Sequence, residues 1–261
     1  MQKLFAFGLS VIAMLSSMLN ETTYAQDTLW KAGLARANIT PTNALWMGGY
    51  AKRTSPAEGK ETDLWLKALA LEDATGHRAV IITSDLLAIR PPLYQACLPL
   101  LRQKYGLEPA QILLTAAHTH CGPFLPTHPN ALLAFDPNQQ RLLADYTTML
   151  RDQIVNTVGQ ALAQLAPARL ATSEGNTGFA ANRRNNSEDD AARLIQQGKM
   201  AGPVDHSVPV LSVWRPDGTL SAVLFGYACH NTTLDFNKWC GDYAGYAQLA
   251  LERSHAGAQA M

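Results

Sequence analysis

Apolar and polar positions alternate and cluster along this chain in ways that separate strands from helices. Residues 31–41 alternate until Pro41 and then enter the turn Met47-Gly48-Gly49-Tyr50, which predicts a strand feeding a loop. The Gly48-Gly49 pair is too short for a phosphate loop and reads most simply as a turn. After a polar stretch holding Pro56 and Gly59, residues 64–72 and 79–83 read as two strands around Ala74-Thr75-Gly76-His77, the second ending at Ser84 and Asp85. Leu93, Ala96, Cys97, Leu100 and Leu101 then recur at helical spacing over 91–105, and Gly106 stops the pattern. Residues 111–117 predict a further strand running directly into His118-Thr119-His120-Cys121-Gly122-Pro123, so strand, helix and strand form a βαβ unit.

Beyond it, Leu142, Tyr146, Leu150, Ile154 and Val158 predict a long helix over 139–165, able to cover one face of a sheet. Residues 171–202 are polar and read as loop, with a short helix at 188–197 and the pair Arg183-Arg184 among asparagines. Two more strands follow, 208–214 and 220–228, joined at Pro216-Asp217-Gly218, and the second runs into Cys229-His230. A last helix is expected over 243–254, entered through Gly241-Asp242. No strand is expected after it, so the domain reads as incomplete on its carboxyl side. The fold class is α/β: a mixed sheet flanked by helices, with a metal site at the carboxyl ends of strands.

The amino terminus reads as an address rather than structure. Lys3 precedes an apolar run over 4–19 and the small-residue site Thr23-Tyr24-Ala25, which predicts a signal peptide of residues 1–25 and a periplasmic or secreted domain of residues 26–261. The run is short for a membrane span of about 20 residues and contains Ser10, Ser16 and Ser17. No cysteine precedes Cys97, which argues against a lipid-anchored precursor. Lys plus Arg and Asp plus Glu both number 21, so the chain has no overall field to gather nucleic acid or an anionic membrane. The four cysteines, Cys97, Cys121, Cys229 and Cys240, include no CxxC pair, so a thiolate zinc site is not expected; their pairing stays open.

Three predicted strands end in chemically useful side chains: Asp85, His118 with His120, and His230. In open α/β sheets ligands gather at such ends. The His-x-His spacing places two imidazoles on one side of an extended segment, one to bind an ion and one to meet a substrate. A hydrolytic zinc site needs three or four ligands and one open position, where a bound water reaches a pKa of about 7. Asp85 and Asp242 are candidate carboxylates, although each suits a turn or helix cap equally well. Arg183 or Arg184 could polarise a carbonyl with fixed donors. His77, His128, His206 and His255 read as ordinary, and no Gly-x-Ser-x-Gly elbow is present.

Taken in order, Ala35-Arg-Ala-Asn-Ile-Thr-Pro, Met47-Gly-Gly-Tyr-Ala, Ala117-His-Thr-His-Cys-Gly-Pro, Asn182-Arg183, Val204-Asp, Ala228-Cys-His and Gly241-Asp-Tyr-Ala-Gly-Tyr resemble the amino-terminal domain of neutral, non-lysosomal ceramidases. The resemblance implies hydrolysis of the ceramide amide to sphingosine and fatty acid at a zinc ion. It implies His118 and His230 as metal ligands, His120 as a catalytic group beside the metal, and Arg183 as the residue that orients the scissile carbonyl. The family's glutamate and tyrosine ligands come from later in the domain and have no counterpart among these 261 residues. Cys121 stands where the family usually has serine, Arg184 where serine commonly follows Asn-Arg, and Asn231-Thr-Thr replaces the usual residues after the second histidine. These departures leave the substrate more open than the amide chemistry.

The expectation is therefore a zinc-dependent amide hydrolase acting on a small lipid-like amide, by direct attack of a zinc-bound hydroxide on the carbonyl with His120 and Arg183 stabilising the developing oxyanion and no acyl-enzyme. Membrane contact is expected only peripherally, through the substrate, and the oligomeric state stays open. The rivals are an exported metal-dependent hydrolase of another N-acyl or ester substrate, and an inactive binding module of the same fold.

Overall fold

A computed structural model of the protein describes residues 30–261. The proposed signal peptide lies outside them. Eight strands form one mixed sheet in the order β4-β3-β2-β1-β5-β6-β7-β8. They are β1 (Trp30–Asn38), β2 (Trp65–Glu72), β3 (Arg78–Ser84), β4 (Ile112–Leu114), β5 (Ala166–Asn176), β6 (Ser207–Trp214), β7 (Leu220–Phe225) and β8 (Gln259–Ala260). Neighbours run antiparallel except at the two edges, where β3 pairs with β4 and β7 with β8 in parallel.

The β3–β4 pair is the expected βαβ unit, and its crossover is helix α1 (Pro91–Tyr105). Two prolines open α1, where a missing N–H costs nothing, and Gly106 closes it at φ 67°, the left-handed cap that glycine takes without strain. Helix α2 (Pro137–Ala163) begins under the Asp136 carboxylate, which accepts from the backbone N–H groups of Asn138 and Gln139. Its residues Leu143, Tyr146, Leu150, Ile154 and Val158 are buried against one face of the sheet, meeting Leu66, Ala68, Ala70, Val80 and Ile82 in a single core. Helix α3 (Ala191–Gln196) is short and has no buried residue.

Helix α4 (Asp242–Ser254) approaches β2 by a polar contact. Lys67 projects from β2, only 3% exposed, and its ammonium donates to Gln248 Oε1, Glu252 Oε1 and the carbonyl of Ala260. Each strand residue points opposite to its neighbours, so Lys67 faces away from the core that receives Leu66 and Ala68. Helix α4 therefore lies on the sheet face opposite α2. No helix among the described residues is long and apolar enough to cross a membrane.

Four expectations are corrected. Residues 171–176, expected as loop, belong to the eleven-residue strand β5. Its residues are exposed or half-buried, so it carries no clean apolar alternation; the ladder to β6 holds it, Arg169 opposite Trp214 through Asn176 opposite Ser207. The strand expected over 111–117 keeps only Ile112–Leu114, because Gln111 closes a 3-10 turn. Thr115 and Ala117 still donate to the carbonyls of Ile82 and Ser84, so the chain stays beside β3 as far as the histidines. A short strand, β8, follows α4 where none was expected. The strand expected over 220–228 ends at Phe225, after which the chain turns irregular. All four cysteines are free.

Candidate metal centre

His118 and His120 follow β4, and His230 follows β7, beyond the carboxyl ends of two strands from opposite halves of the sheet. The fold brings the three together. One ligand nitrogen from each lies within 4.8 Å of the others. The rings of His118 and His230 stack at 4.7 Å, and His120 stands edge-on to both, at 5.1 and 4.8 Å. His120 Nε2 and His230 Nε2 are 3.0 Å apart.

The first loop fixes its imidazoles in two ways. His118 has φ 62°, a conformation uncommon for a residue with a side chain and costing on the order of 1–3 kcal/mol. Its Nδ1 lies 2.6 Å from the carbonyl of Leu87; donation there fixes the tautomer and leaves Nε2 with a free lone pair, the arrangement usual for a metal-ligating histidine. His120 is seated by the Gly48-Gly49 turn. A Cβ on Gly49, whose φ is 102°, would come within 2.4 Å of the His120 ring, so the turn read from the sequence is also the floor of an imidazole pocket. Tyr50 closes the other side, with its ring 4.8 Å from that of His120 and its hydroxyl donating to the carbonyl of Leu234.

The electrostatics favour neutral rings at His120 and His230. Burial first, and then the nearby His230, His118 and Arg53, push the His120 pKa down to about 4. His230 is lowered by burial and by His118 and Arg183. His120 Nδ1 is buried with no hydrogen-bond partner. Three imidazoles that bring ring nitrogens together in this way fit a divalent metal of the borderline class, zinc included.

The carboxylates fall elsewhere. Asp85 is buried beyond β3, accepting from the backbone N–H of Trp65 and from Gln248, and burial pushes its pKa up to about 6. Asp242 is fully buried at the start of α4 and accepts from the chain just beyond His230. Neither joins the histidine cluster. Arg183 sits on an exposed turn and pairs with Glu188, close enough to His230 to lower its pKa. Asn182 shapes that turn by accepting from the N–H groups of Arg184 and Asn185 and donating to the carbonyl of Pro203.

A cavity of about 580 Å³ runs over β3 to β7, lined by the apolar Leu113, Leu211, Leu224 and Tyr227; it reaches Ala117 and Cys229, the neighbours of His118 and His230, without being lined by the histidines themselves. A larger hollow of about 1230 Å³ lies beside α4 and β5, and it too includes none of the cluster histidines. Gly49 and Tyr50 fall in the Met47-Gly-Gly-Tyr-Ala segment of the family resemblance, which did not say what they touch, and Leu87 had no signal in the sequence. The pattern of residues showed Gly49 as a turn, and the contacts of Leu87 and Tyr50 are made across loops.

The sequence profile of the family described as "Neutral/alkaline non-lysosomal ceramidase, N-terminal" matches residues 30–261. The chain is 26% identical over 240 residues to the neutral ceramidase of Pseudomonas aeruginosa, a match covering 88% of this chain and 34% of that protein. It is 25% identical over 219 residues to the neutral ceramidase of Mycobacterium tuberculosis, covering 81% of this chain and 34% of that one. The crystal structure of the Pseudomonas aeruginosa neutral ceramidase superposes with a TM-score of 0.70 at 25% identity, over 90% of this chain and 38% of the other. A ceramidase complexed with C2 superposes at 0.68, also at 25% identity, over 90% of this chain and 37% of the other. The chain thus spans about a third of the length of the curated relatives it matches. With a profile match over residues 30–261 and this shared fold, the chain belongs to the neutral/alkaline non-lysosomal ceramidase family, whose amino-terminal domain it matches.

Proposed function

We propose that this chain supplies the histidine half of a zinc-dependent amide hydrolase, exported from the cytoplasm and acting on ceramide or a closely related N-acyl lipid. The observation that carries the reading is the convergence of His118, His120 and His230, from both halves of the sheet, to within 4.8 Å. In this reading His118 and His230 hold the metal. The metal, when bound, supplies Lewis acidity toward the amide carbonyl and lowers the pKa of water at its open position.

The chain's own residues do the rest. The Leu87 carbonyl holds His118 in the tautomer that presents Nε2. His120, neutral in its pocket beside the metal, helps to stabilise the charge that develops on the carbonyl oxygen as water adds to the carbonyl carbon, and the proton the water releases passes to the departing amine nitrogen as the C–N bond breaks. Arg183 offers guanidinium donors toward the carbonyl oxygen as negative charge develops there. The apolar lining of the adjoining cavity suits an acyl chain better than a peptide.

Elemental mass spectrometry tests the assignment. About one zinc per chain is expected in the unaltered protein and little in His118→Ala or His230→Ala. His120→Ala should retain zinc while turnover falls by about 100-fold or more; loss of zinc there would make His120 a third ligand instead. A panel of N-acyl lipids, run with and without chelator, identifies the substrate, and cell fractionation tests export.

A further inference from the structure

The irregular chain around His230 has no sheet ladder to orient it, since β7 ends at Phe225. It is held instead by the segment from Cys240 to Ala244, at the mouth of α4. On the near side of the histidine, the hydroxyl of Tyr243 donates to the carbonyl of Cys229 at 2.8 Å. On the far side, the side chain of Asn231 donates to the carbonyl of Gly241 and accepts from the N–H of Ala244. The carboxylate of Asp242 then takes the N–H and hydroxyl of Thr233 at 3.1 and 2.6 Å, and the N–H of Leu234 at 2.9 Å. It also accepts from the N–H of Tyr243.

The same segment holds the other histidine loop. Cys240 donates its N–H to the carbonyl of Cys121, and its own carbonyl accepts from the hydroxyl of Thr119, the residue between His118 and His120. One short stretch of chain therefore touches both loops and sets the distance between them. Asp242 is at its centre, fully buried and with φ 56°, a conformation that asparagine and aspartate tolerate better than most residues. Its carboxylate is occupied by four donors, which accounts for its absence from the histidine cluster.

We propose that Asp242 is the positioning residue of this site: through Thr233 and Leu234 it fixes His230 against His118, and its loss loosens the metal. The proposal rests on the metal-binding reading above. Outer partners of metal ligands are typically worth about 10–100-fold in affinity. Asp242 acts one step further out, through the backbone, so a value near the lower end is expected.

The test is Asp242→Asn, which keeps the left-handed backbone and one acceptor oxygen but turns an N–H₂ toward the N–H of Leu234. Zinc affinity is measured on the whole protein by competition with a chromophoric chelator, and the visible spectrum of the cobalt-loaded form reports ligand geometry. The variant should bind zinc about tenfold more weakly, with a shifted cobalt spectrum. Val158→Ala, which opens a cavity in the distant α2 core, should lower the thermal midpoint while leaving both metal readouts unchanged. Wild-type zinc affinity and cobalt spectrum in Asp242→Asn would overturn the proposal, as would an equal loss in Val158→Ala, which would make the effect general softening. Should the asparagine variant not fold, Thr233→Val removes one of the four donors; a few-fold weaker affinity supports the proposal and an unchanged one overturns it. Absence of zinc and cobalt binding in the unaltered protein would instead defeat the metal reading itself.

Discussion

The two halves of the sheet are built differently. Strands β1 to β3 lie against α1 and α2, and Leu66, Ala68, Ala70, Val80, Ile82, Leu143, Leu150, Ile154 and Val158 are all fully buried in that layer. In the other half β5 has no fully buried residue, and its buried cluster amounts to Val213, Ala222 and Met261, joined by Leu69 of β2. The first half contributes His118 and His120 from a loop braced by a packed core. The second contributes His230 and Arg183 from irregular chain, held by hydrogen bonds rather than apolar packing. A site divided this way draws its rigidity from two sources, and they should respond differently to substitution.

The same change made in each half breaks or sharpens the comparison. Leu150→Ala, in the middle of α2, should cost about 2–5 kcal/mol in urea unfolding, because the site is enclosed on every side. Asp85 lies beyond β3, where it accepts from Trp65 and from Gln248 of α4, and its pKa, pushed up to about 6, gives the next effect. A carboxyl whose folded pKa exceeds its unfolded value near 4 favours the folded state while protonated, and that contribution is lost as pH rises from about 4 through 6. Asp85→Asn removes the titration, so the variant should gain on the unaltered protein by on the order of 2–3 kcal/mol between pH 4 and pH 8. A stability difference that does not change with pH would mean the carboxyl is better solvated than its burial implies.

Leu211→Ala is the counterpart to Leu150→Ala in the second half. Leu211 is only partly buried, and roughly 1–2 kcal/mol is expected in the same unfolding assay. A loss as large as that of Leu150→Ala would end the distinction between the halves. The smallest effect belongs to the rim. Lys52 pairs with Asp235 where both are about two-thirds exposed, so Lys52→Ala should change stability by less than about 1 kcal/mol. Thermal denaturation at low and high salt measures it, since a screened surface pair weakens further as salt rises.

Wherever a segment met its surroundings through a regular face, the sequence was a sufficient guide. Helix α1 occupies the expected 91–105 with Gly106 as its stop, because the apolar stripe and the cap are both local features. The strands on either side of residues 73–77 and 215–219 were legible from alternation broken by turns. Strand β5 was not, since its residues are exposed or half-buried and what makes it a strand is the backbone of β6. The two histidine segments stood out in the sequence because an apolar run ended in imidazoles, and the ordered series of motifs pointed to the family that the whole described chain then matched.

What the sequence determined by itself was therefore most of the elements, those with a regular buried face or a local stop, together with the family and the residue types available for chemistry. Only the tertiary structure decided which of those residues meet. It drew His230 to His118 across more than a hundred residues, placed Gly49 under His120, and turned Asp85 and Asp242, two candidate ligands, into internal supports. The physical reason is that periodicity records how one segment buries its own face. A hydrogen bond such as that between Cys240 and Cys121 depends on where two segments arrive once every other element is packed.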